Sequence, residues 1–173
     1  MRSDAERWNA RHAAADDAGP HPPDLLRGRE HLLPPGGRAL DVACGRGAVA
    51  RWLAARGFEV DAVDVSAVGL AAAAAPGVRT IEHDLDDGLP PRCTGPYDVV
   101  VCQRFRDPRL YPQLTAVLAP GGLLVVTVLS EVGVGPGPFR APAGELRAAF
   151  SGLEILVDVD GGGEAGLVAR SAG

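Results

Sequence analysis

Apolar residues in this chain fall into short runs that glycines and prolines separate, and the runs alternate between two periods. Residues 7–14 carry an amphipathic spacing that predicts a short helix. Residues 16–23 form a polar link, and Asp24 is placed to cap a helix over residues 25–33 that Pro34-Pro35-Gly36-Gly37 stops. Residues 39–43 read as a buried strand that breaks at Cys44-Gly45-Arg46-Gly47. Ala48, Val49, Leu53 and Ala54 then recur near the helical period as far as Arg56-Gly57. Residues 58–64 alternate as a second strand, Ser66 caps an alanine-rich helix over 67–75, and residues 78–83 form a third strand that runs into a loop at 84–88. Residues 97–102, apolar after their start, predict a central fourth strand. A helix over 108–118, a turn at Ala119-Pro120-Gly121-Gly122 and a fifth strand over 123–129 follow. Two further strands, 153–159 and 166–171, come after a helix over about 143–150, and the turn at 160–163 joins them as a hairpin.

Strands alternating with helices and ending in a hairpin predict an α/β fold: one open, mostly parallel sheet of seven strands with an antiparallel terminal strand. The chain divides into an amino-terminal helical cover (1–33), a core (38–130), a glycine- and proline-rich segment (131–142) expected to be a mobile flap, and a terminal helix and hairpin (143–173), all in a single domain.

Composition narrows the chemistry. All 17 basic residues are arginine, which excludes a lysine Schiff base and a phosphate-loop lysine. A net charge of −5 without a dense basic stripe argues against nucleic acid as a partner. Cys44, Cys93 and Cys102 show neither metal spacing nor pairing, which suits a reducing cytoplasm, and no metal is expected. The first fifteen residues lack the apolar run of a signal peptide, and residues 123–129 are too few to span a membrane, so a soluble cytoplasmic protein, monomeric or homodimeric, is expected.

Open α/β sheets bind ligands beyond the carboxyl ends of their strands. Residues 43–47, Asp64, Asp84 and residues 102–106 should therefore converge. The strand–glycine turn–helix stretch presents free backbone N–H groups, and small residues there let a ligand press close. Arg104 and Arg106, after the fourth strand, are placed to hold an anionic substrate, while salt bridges with neighbouring acids are the competing reading. Phe139 and Arg140 lie in the flap. Glu131 joins the arginines as a candidate side chain at the site, whereas His12 and His21 read as packing histidines. Cys44 and Cys102 read as small buried hydrophobes rather than nucleophiles.

The runs Ala39-Leu40-Asp41-Val42-Ala43-Cys44-Gly45-Arg46-Gly47, Val63-Asp64-Val65-Ser66, His83-Asp84-Leu85, Tyr97-Asp98-Val99-Val100 and Leu118-Ala119-Pro120-Gly121-Gly122 resemble, in order, the motifs of class I S-adenosylmethionine-dependent methyltransferases. With Arg7-Trp8-Asn9-Ala10-Arg11 before them, the chain looks like the small tellurite-resistance and thiopurine types. The resemblance implies a Rossmann-like three-layer sandwich and S-adenosylmethionine as cofactor. In that reading Ala43, Gly45 and Gly47 line its methionine and ribose, and Asp64 accepts the two ribose hydroxyls. Val65 packs on the adenine ring, Asp84 and the Leu85 N–H meet the adenine edge, Cys102 begins the wall beside the methyl, and Arg11 pairs with the carboxylate. Asp41 and Cys44, inside the first motif, count with these. Ala43 stands where the family usually has glycine. Arg104, Arg106 and Arg140 remain the candidates on the side of a small-molecule acceptor. A nicotinamide-dependent oxidoreductase also uses a glycine turn and an acidic strand end. A non-catalytic cofactor-binding or regulatory protein is the third reading.

Overall fold

The apolar and alternating runs rich in valine, leucine and isoleucine make the strands, whereas the alanine run after Leu70 stays helical. A computed structural model describes residues 3–173. Its strands are β1 (Gly37–Val42), β2 (Phe58–Asp64), β3 (Val78–Glu82), β4 (Tyr97–Gln103), β5 (Leu118–Leu129), β6 (Glu154–Gly161) and β7 (Glu164–Arg170). They form one seven-stranded sheet in the order β3-β2-β1-β4-β5-β7-β6. The first five run parallel; β7 is antiparallel to both β5 and β6. This is the mostly parallel sheet that the pattern predicts.

Register fixes what the sheet presents. Val42 lies opposite Val63 on β2 and Cys102 on β4, and Asp64 lies opposite Glu82 on β3. The carboxyl ends of the four strands that carry candidate residues are therefore level. Alternate residues of the strands feed two cores. Ala39, Val60, Ala62, Val99, Val101, Leu123 and Val125 pack with Val49, Ala50 and Leu53 of α2 (Ala48–Ala55) and with Leu26. Leu40, Val42, Val63, Val100, Leu124 and Val126 pack with Leu114 of α4 (Tyr111–Ala116), Leu146 of α5 (Glu145–Ala149) and Phe150. Helices on both faces of one sheet make three layers. The helix α3 (Ala67–Ala73) rests on β2, β3 and α2, and α1 (Asp4–Ala14) rests on α3.

Three expectations are corrected. Residues 25–33 make no α-helix: 3-10 turns at Asp24–Leu26 and Glu30–Leu32 replace it, because Gly28 between them takes φ +74°. The helix expected over 108–118 is a 3-10 turn, Pro108–Leu110, followed by the six residues of α4. The turn at Pro120-Gly121-Gly122 is a bulge inside β5 rather than its start, since Leu118 already pairs with Tyr97 before the register shifts to Val99↔Leu123. Gly121 N–H donates to the Ala172 carbonyl there, and Ser171 N–H to that of Gly122, which fastens the end of β7.

Candidate functional site

Residues 43–47 form a tight turn from β1 into α2. Cys44 N–H donates to the Val63 carbonyl at 2.9 Å and Gly47 N–H to that of Cys44 at 2.9 Å. Ala43 sits at φ +55°, a left-handed conformation that favours glycine, so the residue that departs from the family pattern is also a strained one. Asp64, 8% exposed at the end of β2, ties this turn to the next: one carboxylate oxygen accepts Gly45 N–H at 2.9 Å and the other accepts Ser66 N–H at 2.9 Å. Each oxygen keeps a further lone pair, the capacity needed to receive a vicinal diol.

The two glycines are needed for different reasons. A methyl group on Gly47, at φ +77° as the cap of α2, would lie 2.3 Å from Ala73 Cβ, so this glycine lets α3 close on the turn. A methyl group on Gly45 would meet His12 Cε1 at 3.2 Å, and one on Gly69 would meet Gly45 O at 2.7 Å and His12 Cδ2 at 3.2 Å.

Beneath the turn lies Asp41, 3% exposed. Its Oδ2 is buried without a hydrogen-bond partner, and burial, with the nearby Asp64 charge, pushes its carboxyl up to about 8. Burial likewise raises the thiols: Cys102 goes to about 12, and Cys44 higher still, with Asp41 adding to both and Asp64 to Cys44. Cys102, 2% exposed, turns its sulfur to the Phe105 carbonyl and into the core, so it forms no exposed wall of a cleft. Neither thiol carries the charge that nucleophilic attack requires.

The amino-terminal cover closes over this turn. Ser3 and Glu6 form a reciprocal capping box that starts α1. Asn9 Oδ1 accepts Ser66 Oγ–H at 2.6 Å and Val68 N–H at 3.2 Å, which bolts α1 to the start of α3. Arg46, between the two glycines, donates to the His12 carbonyl at 2.7 Å in the last turn of α1. Farther on, Arg51 pairs with Asp17 at 3.0 Å, and His21 N–H donates to the Ala48 carbonyl. Arg11, expected to face the cofactor carboxylate, is exposed and lies over the Trp8 ring at 5.1 Å. The residue of α1 that faces the glycine turn is its neighbour His12, stacked on Trp8 at 5.7 Å between centroids. Burial lowers the His12 pKa; Asp64 opposes that shift, and Arg46 and Arg11 reinforce it. Sequence reasoning missed Asn9 as a tether and set His12 aside. The signal was the helical phase: Asn9 and His12 are three apart and share a face.

Along the same edge, Val65 is half-buried beside Asp64, and Leu85 is buried. Asp84 is exposed and accepts Asp86 N–H at 3.0 Å, capping the 3-10 turn Leu85–Asp87. A cavity of 220 Å³ opens next to it, lined by Leu85, Asp86, Gly88, Asp107, Arg109 and Gln113.

The three arginines assigned to the acceptor side end up with different partners. Arg106 is forked onto Glu145 of α5 through Nε (2.8 Å) and Nη2, and Tyr111 Oη–H donates to the same carboxylate at 2.9 Å. That holds the Glu145 carboxyl below its usual range and raises the Tyr111 phenol, the latter mainly through burial. Arg140 Nη1 donates to the carbonyls of Ser130 (2.8 Å) and Gly163 (3.1 Å), which ties the segment 131–142 to the β6–β7 turn. Val134 packs on Gly163, and Gly133 on Gly162. Arg104 alone keeps an exposed guanidinium, between Asp24 at 3.4 Å and Glu164 at 3.7 Å. Its N–H donates to both Thr127 O and Thr127 Oγ1. Ala43, Arg104 and Phe139 are the described non-glycine residues at positive φ, and all three lie beyond strand carboxyl ends, where strain gathers at functional sites. Among the described residues no three His, Cys, Asp or Glu side chains are grouped to hold a metal, and no helix is long and apolar enough to cross a membrane.

Comparison with known proteins agrees with this geometry. Residues 39–122 match a family model described as a methyltransferase domain. The chain is 35% identical over 107 residues, 54% of its length and 41% of the relative's, to a ubiquinone biosynthesis O-methyltransferase of a Caulobacter species. It is 37% identical over 141 residues, 72% of its length and 39% of the relative's, to ribosomal RNA small subunit methyltransferase C of Chromohalobacter salexigens. The chain thus spans about two fifths of the length of these curated relatives. A solved TehB-like S-adenosylmethionine-dependent methyltransferase from Corynebacterium glutamicum superposes with a TM-score of 0.67 at 19% identity, over 96% of this chain and 95% of that one, a likeness of fold.

Proposed function

As a member of the class I S-adenosylmethionine-dependent methyltransferase family, this chain has the sheet and motifs of a methyl-transfer domain, and we propose that it moves the methyl group of S-adenosylmethionine to a small-molecule acceptor. The observation that carries the reading is Asp64, a buried carboxylate shared between the glycine turn and the start of α3. The residues present fit the donor. Asp64 has lone pairs to spare for a ribose diol, Gly45 keeps the turn free of a side chain beneath His12, and the buried Oδ2 of Asp41 lacks a partner. Val65, Asp84 and Leu85, on the adjoining strand ends, would take the adenine, with Ala43, Cys44 and Gly47 completing the turn.

The sulfonium donor supplies an already activated methyl group, which leaves by in-line displacement with the electron pair staying on sulfur. What remains for the chain is to align the acceptor and exclude water. The cover at residues 4–23 does the second. For the first, Arg104 is the arginine held only by exposed surface pairs, to Asp24 and Glu164, whereas Arg106 and Arg140 hold neighbouring segments in place. Leu129, Val134 and Phe139, exposed at or beyond the end of β5, suit the apolar body of a small acceptor. One relative is named for ribosomal RNA, another for ubiquinone biosynthesis. The acidic net charge of this chain favours an acceptor without a phosphate backbone.

Calorimetric titration with S-adenosylhomocysteine tests the donor assignment: the wild type binds and Asp64→Ala loses at least about tenfold in affinity. Equal affinities, or no heat with the wild type, would sink it. Methyl transfer to phenols and thiols but not to ribosomal RNA separates the acceptor classes.

A further inference from the structure

The cofactor turn of this chain is not bare. The imidazole of His12 lies over it, its Cε1, Nε2 and Cδ2 atoms in van der Waals reach of the faces that Gly45 and Gly69 leave open, and beside the carboxylate of Asp64. Both glycines lack a side chain where His12 runs, so the space is shaped for an aromatic ring entering from α1. Two contacts hold the ring there without using it. Asn9 is bonded to Ser66 and Val68, and Arg46 grips the backbone carbonyl of His12. Among the described residues the ring nitrogens of His12 take no hydrogen bond, although the ring is half-buried. A half-buried polar ring held from behind, its nitrogens without a hydrogen bond at a ligand-binding turn, is arranged to touch what binds there.

We propose that His12 contacts the bound methyl donor, forming the amino-terminal wall of its cleft, and that the uncharged imidazole is the form that admits the sulfonium. This rests on the donor reading above. The groups that face the ring are Asp64 from β2, Arg46 from the glycine turn, Arg11 from its own helix, the uncharged Gly69 of α3 and the Trp8 ring stacked on it. Burial and the two arginines favour the neutral ring, and Asp64 opposes them. On acidification the ring gains a proton and becomes a second cation beside a ligand that already carries one. S-adenosylhomocysteine has the same adenosine and amino acid but a neutral thioether, so it is the matched control.

Calorimetric affinities of S-adenosylmethionine and S-adenosylhomocysteine, each at about pH 5 and about pH 8, give the test. For the wild type, the preference for S-adenosylmethionine over S-adenosylhomocysteine falls at least about threefold on acidification. Asp41, whose carboxyl is pushed up to about 8, changes that ratio in the same direction, so the His12→Gln variant is what assigns the pH dependence to His12. His12→Gln keeps α1 docked, because Arg46 bonds the backbone and Asn9 is untouched. The variant binds both ligands more weakly, and its ratio changes less with pH than that of the wild type. A ratio independent of pH in the wild type, a variant ratio that changes as much, or a variant that binds either ligand as well as or better than the wild type, overturns the role of His12 while leaving the donor site standing. Failure of the wild type to bind either ligand at either pH overturns the donor reading itself.

Discussion

A carboxyl group buried with one oxygen unpartnered is held at a cost, and Asp41 makes that cost depend on pH. Below the ordinary carboxyl range both folded and unfolded chains hold its proton, so it adds no pH dependence. Between that range and about 8 only the folded chain holds it, and stability falls as pH rises; above about 8 the loss is complete. Asp41→Asn removes that slope. In urea unfolding the gain of the variant over wild type should grow from about zero near pH 4 to roughly 1–3 kcal/mol near pH 8. A gain that stays constant across this range would show that ionisation of Asp41 is not the cost. At this scale the sequence was legible where a residue's role depends on its immediate neighbours. The place of Asp64 at the end of β2, beside the glycine turn, could be read because it ends a strand two residues before a helix cap. Arg106 could not be resolved between substrate and salt bridge, because its partner Glu145 stands 39 residues on and only the fold brings them together.

Among the elements, the glycine turn and α3 depend on each other. Gly47→Ala places a methyl group into Ala73 and a side chain at φ +77°, and should cost about 2 kcal/mol or more in denaturant unfolding. Adding Ala73→Gly removes the contact with Cβ but leaves residue 73 Cα at 2.6 Å and the strained φ, so the double variant should recover only part of the loss and still be more stable than the sum of the single changes allows. Strict additivity in that cycle would mean the two do not press on each other. Strands were the most legible elements, since a parallel sheet covered on both faces needs unbroken apolar runs. The short connecting helices were the least. Asp24 signalled a helix start over 25–33, but Gly28 took a left-handed turn inside it, and the local pattern carries no measure of that choice.

For the whole molecule, the cover, sheet and acceptor side are fastened by separate devices, and this predicts separable phenotypes. Arg106→Ala breaks the fork that ties the loop after β4 to α5 and leaves a largely buried Glu145 with Tyr111 alone. It should lower stability by about 1–3 kcal/mol while leaving S-adenosylhomocysteine affinity within about twofold of wild type. Loss of donor affinity without loss of stability would instead move Arg106 into the site. Arg104→Ala, at an exposed pair, should shift unfolding free energy by less than about 0.5 kcal/mol, and a larger change would make it a structural latch. Strand order was not readable from periodicity; it follows from register, which places β7 inside the sheet.

That placement bears on how the protein is made. Because β7 lies between β5 and β6, yet follows both in the chain, the edge of β5 has no neighbour on that side until residues 164–170 have been synthesised. For that interval the run Leu123-Leu124-Val125-Val126 presents an unpaired, apolar edge, the kind of surface that recruits chaperones or pairs with another nascent chain. Slowed translation through the β6–β7 turn should prolong that exposure and lower the yield of folded protein.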